Sequence, residues 1–386
     1  MSIALDYSTP PVARSGALRD LERPGEVFAN LTPNWYASVM GTGIVAVAAA
    51  TLPVQFIGLQ AFSVLVWVIA AVLLVVLTAA TAVHWTRYGD TARGHALNPV
   101  MAPFYGAPPM ALMTVGAGTV LVGSDVLGPR LAVDVDWVLW SAGTIIGLAV
   151  AVIVPFLMFT RHPIGPDSAF GGWLMPVVPP MVSASTGALL IPHLPPGQGR
   201  LTLLMACYAM FGMSLIASII VITLIWNRLA QDKLGEARMV PTLWIVLGPL
   251  GQSITAANLL GGVAHLALPA PYSTALQAFG VVYGVPVLGF ALLWAAIATA
   301  ITARTVRAGL PFSLTWWSFT FPVGTCVTGT TGLALHTGAD LFRYAAVLFY
   351  AGLVAAWIVV ATRTAHGSYR GRLFRAPAPV PSTRSA

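Results

Sequence analysis

The sequence predicts an all-α polytopic membrane protein of ten transmembrane helices, paired as five helical hairpins with the odd-numbered members inside. Three observations predict it. Only 8% of the 386 residues are charged and 57% are hydrophobic, with a mean hydropathy of +0.82, whereas a soluble domain carries roughly 25% charged residues. Ten uncharged apolar segments are long enough to cross a bilayer, which takes about 20 residues as a helix. With ten crossings, all of the 19 Lys and Arg except Arg130, Arg200 and Arg343 fall in the two tails or in loops on the tails' side. The positive-inside rule then puts both termini in the cytoplasm, with the spans in the cell (plasma or inner) membrane. The same placement accounts for the net charge of +7 without a nucleic-acid partner.

The N-terminal tail, residues 1–28, holds Arg14, Arg19, Arg23 and four acidic residues but no apolar h-region. No cleavable signal peptide is expected, and the first span directs insertion. Span one (34–53) contains "NWYASVMGTGIVA". Span two (57–83) is plain, with Gly58 as its one glycine and no proline. Span three (104–124) contains "FYGAPPMALMTVGAGTV", and span four (137–160) carries Pro155. Span five (171–192) reads "GGWLMPVVPPMVSASTGALLIP", followed by a plain span six (201–226). Span seven (240–266) contains "PTLWIVLGPLGQSITAANLLGG". Span eight (274–303) departs from the alternation with Gly280, Gly284, Pro286 and Gly289. Span nine (313–335), "SLTWWSFTFPVGTCVTGTTGLAL", draws twelve of its 23 residues from Gly, Pro, Ser and Thr, and span ten (344–362) is plain again. The membrane domain is therefore 29–364, and the tail 365–386 is expected to be disordered.

Each odd span opens on Trp or an aromatic cluster, meets Gly or Pro within about two turns, and continues in small and hydroxylated residues. Small residues let helix backbones approach closely in a membrane. Prolines in the spans, Pro179, Pro249 and Pro322 among them, are expected to bend the helices and free carbonyls, which is tolerable only where protein or water satisfies them. The odd spans are thus expected to turn away from lipid, around either a wetted path or a solid, tightly packed core. Helical spacing selects candidate lining residues: Ser38 and Thr42, Thr114 and Gly118, Ser183 and Thr186, Gln252 and Thr255 with Asn258 beside them, and Thr325 and Thr328. Phe321 shares the stripe of Thr325 and Thr328 and reads as an apolar plug or as an interhelical packing residue.

No Asp, Glu, Lys or Arg falls inside the ten spans as drawn, and the histidines lie in loops, tails or near span ends. Proton relays and buried ion pairs are built from intramembrane ionisable groups, and an enzyme needs an acid, base or metal constellation; neither is in evidence. Cys207 and Cys326 have no metal-type spacing and read as small buried hydrophobes. No cofactor, metal or catalytic residue is expected. A path lined by hydroxyls and amides without acidic groups suits a small anion better than a cation.

"LTPNWYASVMGTGIVA" (31–46), "NPVMAPFYGAPPMALMTVGAG" (98–118) and "WWSFTFPVGT" (316–325) resemble the tellurite-resistance/dicarboxylate transporter family. That family includes plant slow anion channels, fungal malate permeases and fungal sulfite efflux pumps. The resemblance implies ten helices as five hairpins around a central pore, odd helices inside, in a homotrimer. It also implies a pore-occluding phenylalanine on helix nine, best matched by Phe321, with Phe319 the alternative. The expected function is an anion channel or transporter with a neutral, phenylalanine-gated pore. The alternative is a proton-linked exporter of sulfite or C4-dicarboxylates such as malate, with tellurite resistance as a side effect.

Overall fold

The computed structural model describes residues 16–21 and 23–375. Among them the secondary structure is helical, with no strand. Two populations of helix alternate along the chain. The short ones are α1 (Tyr36–Thr51), α4 (Ala107–Leu121), α7 (Pro179–Leu190), α9 (Leu247–Val263) and α11 (Phe321–Thr337). The long ones are α2 (Leu59–Arg87), α6 (Pro129–Thr160), α8 (Gln198–Asp232), α10 (Tyr272–Arg307) and α12 (Asp340–Arg370), with the connectors α3 (Gly89–Leu97) and α5 (Ser124–Leu127) between them.

The short helices are short because each odd segment starts in a tighter coil. 3₁₀ turns at Pro33–Trp35, Ala102–Gly106, Gly171–Leu174, Ala237–Val246 and Leu314–Phe319 precede the five α-helices and contain their opening aromatics. A 15-residue α-helix such as α4 is only about 22 Å long, less than the ~30 Å hydrocarbon core. The 3₁₀ turns, rising about 2 Å per residue, supply the remaining length. Consequently, among the described residues, six helical segments are long and apolar enough to cross a membrane: the five long helices, and Ala237–Leu266 when α9 is taken with its flanking 3₁₀ turns. In that last segment 89% of the most apolar window is buried, against 22–33% in the others, so α9 is interior and the long helices form the outside. Large apolar side chains such as Val75, Phe159 and Leu348 cover the outer face.

The short helices touch one another in a closed sequence: α1 packs on α4, α4 on α7, α7 on α9, α9 on α11, and α11 back on α1. Each also packs against the long helix that follows it. Two glycines show how close the inner contacts are. A Cβ on Gly251 would lie 2.5 Å from the backbone carbon of Thr325, and one on Gly324 would lie 2.4 Å from Ile44. Only a missing side chain permits that spacing between α9 and α11 and between α11 and α1.

Three sequence expectations need correction. Pro179 and Pro322 occupy the first two positions of their helices, and Pro249 the third position of α9. None interrupts the middle of an inner helix, because proline fits a first turn, whose N–H groups lack helical partners; the break comes instead from the switch between 3₁₀ and α coils. Second, the helix of span four begins at Pro129, eight residues before the expected start, and takes in Asp136. Third, order extends beyond 29–364. Helix α12 runs to Arg370, the Leu18 and Asp20 amides donate to the Tyr369 and Arg370 carbonyls, and the Trp35 ring stacks on Phe374 at 5.1 Å. The rest of both predicted tails, 1–15 and 376–386, lies outside the described residues.

Candidate functional site

Two cavities lie within the ring of short helices, one above the other. The smaller, about 30 Å³, is walled by the opening turns of all five: Ala37 and Met40, Phe104 and Met110, Met175 and Val178, Gly248 and Pro249, Trp317 and Phe321. The larger, about 140 Å³, is walled by residues one to four turns further along the same helices. These are Ile44 and Val47 of α1, Thr114 and Ala117 of α4, Ser185 and Thr186 of α7, Gln252 and Thr255 of α9, and Thr328 and Thr331 of α11. All five helices therefore run in the same direction. Phe321 is only 4% exposed and borders both cavities. A water needs about 10–15 Å³ of such space, so the small chamber holds two or three waters and the large one has room for a small hydrated solute.

The five inner helices begin around the small chamber, which brings the positive ends of five helix dipoles to one place. No ionisable side chain borders either cavity among the described residues. Polar groups cluster in the larger chamber, but most of its hydroxyl protons are already committed. Thr51 donates to the Val47 carbonyl, Thr114 to Met110, and Ser185 and Thr186 both to Val182. Thr255 and Thr328 bond each other at 2.7 Å and the carbonyls of Gly251 and Thr325. These are the usual back-bonds of Ser and Thr in helices. They commit the hydroxyl protons to the helices' own carbonyls and leave the oxygen lone pairs free.

The structure divides the sequence-selected residues. Thr114, Thr186, Gln252, Thr255, Thr328 and Phe321 border the larger chamber. The others border neither. Ser38 donates to the Trp35 carbonyl, and Thr42 accepts the indole N–H of Trp357 on α12. Gly118 gives room to the Trp67 ring of α2, and Ser183 accepts from Thr144 of α6 at 3.0 Å. Thr325 donates to Pro322 and abuts the α9 carbonyls of Leu247 and Gly248. Asn258 ties α9 to the Gly280 carbonyl of α10, while its Oδ1 accepts from His336 Nδ1. Phe319 packs edge-on against Trp244 and Trp316. The common reason is that an inner helix buries every face, so a polar stripe marks a contact without saying whether chamber or neighbouring helix lies across it.

Thr51, Ser185 and Thr331 also border the larger chamber and were missed. For Thr331 a signal was present: it lies three residues beyond Thr328, and so extends the stripe that starts at Phe321. Asp136 precedes the expected span four (137–160) by one residue, so the sequence pattern places it outside the membrane, whereas the helix that holds it begins at Pro129. Asp136 is fully buried, neither carboxylate oxygen has a hydrogen-bond partner, and Oδ1 lies against Gly116 of α4, where a Cβ would come within 2.2 Å. It thus sits behind the chamber wall. Outside the spans, His95 of α3 stacks on His84 at 5.4 Å, and burial, with the nearby His84, pushes its pKa below the ordinary histidine value.

Residues 30–365 match the family described as voltage-dependent anion channel (SLAC1). The chain belongs to that family. It is 27% identical over 354 residues to a sulfite efflux pump of Trichophyton rubrum, covering 90% of this chain and 93% of the relative. It is 28% identical over 366 residues to an uncharacterized transporter of Methanocaldococcus jannaschii, covering 91% and 97%. A putative malic acid transport protein of Schizosaccharomyces pombe is 20% identical over 307 residues, covering 74% and 68%. The chain is accordingly a membrane transporter of the SLAC1 family.

Proposed function

We infer that this protein conducts small anions through the axis of its inner ring, with Phe321 as the gate. The observation that carries the reading is the position of Phe321, a single side chain between two chambers on one axis. The small chamber collects five helix N-termini, each worth roughly 0.3–1 kcal/mol to a nearby negative charge. Neither chamber holds an ionisable group that would trap the ion, and conduction requires that an ion leave as readily as it enters. In this reading the ten helices are five hairpins around a central pore, odd helices inside. Both termini and the small chamber face the cytoplasm of a cell membrane, and three copies assemble, each with its own path.

A second reading, proton-linked export of sulfite or of a C4-dicarboxylate, is favoured by Asp136, a buried carboxylate without a partner, and by the names of two relatives. The two separate in sealed vesicles carrying purified protein. Efflux of chloride, nitrate, sulfite and malate is followed with membrane voltage and pH difference imposed independently. A conductive path responds to voltage alone. Flux that is driven by a pH difference at zero voltage replaces the channel reading with the exporter, and no anion flux under either drive refutes both.

A further inference from the structure

Outside the inner ring, a groove of about 580 Å³ opens between the C-terminal ends of α8 and α10. Its two walls are written alike. On α8, Trp226, Leu229 and Lys233 stand at i, i+3 and i+7; on α10, Trp294, Ile301 and Arg304 stand at i, i+7 and i+10. That spacing puts each set on one helix face. The indoles meet at the deep end of the groove, ring centroids 6.0 Å apart, and each stripe ends on a cation at the rim. Trp294 is buried and donates its N–H to the Leu243 carbonyl, whereas Trp226 is 47% exposed. No carboxylate borders the groove, and neither cation belongs to an ion pair among the described residues. Lys233 Nζ donates only to the Ala230 carbonyl of its own last turn. Its backbone, at φ 67° and ψ −155°, lies in a region almost confined to glycine, and the buried Arg228 holds the Lys233 carbonyl there at 3.0 Å.

We propose that this groove binds an anionic phospholipid, with the phosphate between Lys233 and Arg304 and an acyl chain along the tryptophans and aliphatic residues beneath. A cation at a helix C-terminus complements the dipole, which accounts for either charge alone but not for an open groove floored by tryptophan between them. Basic pockets between membrane helices suit anionic headgroups. From Trp294 to Arg304 helix α10 rises about 15 Å, deeper than a free phosphate ion would fill. In the orientation proposed above, the groove lies in the cytoplasmic leaflet. The site requires a chain that spans a membrane but not the anion path, so either can fail without the other.

The test counts lipids bound to the full-length protein by native mass spectrometry, with phosphatidylglycerol and phosphatidylcholine of identical acyl chains. A cation beside an anionic headgroup is worth roughly fivefold in binding, so Lys233→Gln combined with Arg304→Gln should lower the preference for phosphatidylglycerol about twenty-five-fold. Arg307→Gln, in the last turn of α10 but outside the groove, should keep the wild-type preference. All three side chains are exposed, so the variants fold. Equal binding of the two lipids by the wild type overturns the site, as does an unchanged preference in the double variant or an equal loss in Arg307→Gln. Displacement of the lipid by inorganic phosphate would make the ligand a free ion. Cross-linking between copies through Trp226→Cys would put a second chain in the groove. Either result overturns the lipid.

Discussion

Phe321→Ala is the change that bears most directly on the proposed path. The ring is 4% exposed and forms part of the wall between chambers of about 30 and 140 Å³, so its removal opens one into the other. In a water-soluble core, truncating a buried phenylalanine costs about 3–5 kcal/mol. In a bilayer the unfolded helices already lie in apolar surroundings and only lost packing counts, which leaves on the order of 2 kcal/mol. The variant should therefore fold, with a lowered Tm. Its flux should rise by at least about tenfold, equivalent to about 1.4 kcal/mol off the barrier. Phe321→Leu should be intermediate. The assay is chloride and nitrate current across planar bilayers at matched protein content, with a thermal scan of each variant. Folded Phe321→Ala protein with wild-type current and selectivity would refute the gate and return Phe321 to a packing role.

Three further outcomes follow from the geometry. Gly251→Val sets a branched side chain where even a Cβ would lie 2.5 Å from the backbone of Thr325; backbone cannot yield cheaply, so a loss of several kcal/mol or failure to assemble is expected in detergent melting. Asp136→Asn keeps the shape and removes the titratable proton. Flux should be insensitive to it if the chain is a channel, and a proton-driven component should disappear if it is an exporter. Burial depresses the pKa of His95, so the unfolded chain binds its proton more readily than the folded one. Stability from this group is complete above about pH 6.5 and declines as pH falls from there through the folded value. Thermal melts should show that decline, and His95→Gln should flatten it.

Much of the fold was legible because the bilayer forbids most alternatives. A charge-poor chain with ten apolar stretches has few arrangements open to it, and the contrast between plain and broken segments separated outer helices from inner ones. The junction of 3₁₀ and α coil was not legible: "TWWSFTFPVGT" announces a disturbance, and proline was the natural suspect, yet Pro322 merely starts the next helix. The site was half legible for a related reason. Thr114 and Ser183 look alike in sequence, but only the former reaches the chamber; the latter meets Thr144 on α6. Which neighbour lies opposite a given face is decided by long-range packing, which no local spacing encodes. Asp136 was not legible because Arg130, Asp134 and Asp136 together make the first turns of α6 read as a loop.

The contact between α1 and α11 joins the first inner element to the last. During synthesis the barrel stays an open arc until the final pair emerges, with Gln252 and its threonine neighbours on an unguarded flank. A chain stopped short of Phe321 lacks its keystone, and the polar lining of the arc would face acyl chains instead of a counterpart helix. Quality control in the membrane thus has a physical cue that distinguishes a finished molecule from an interrupted one.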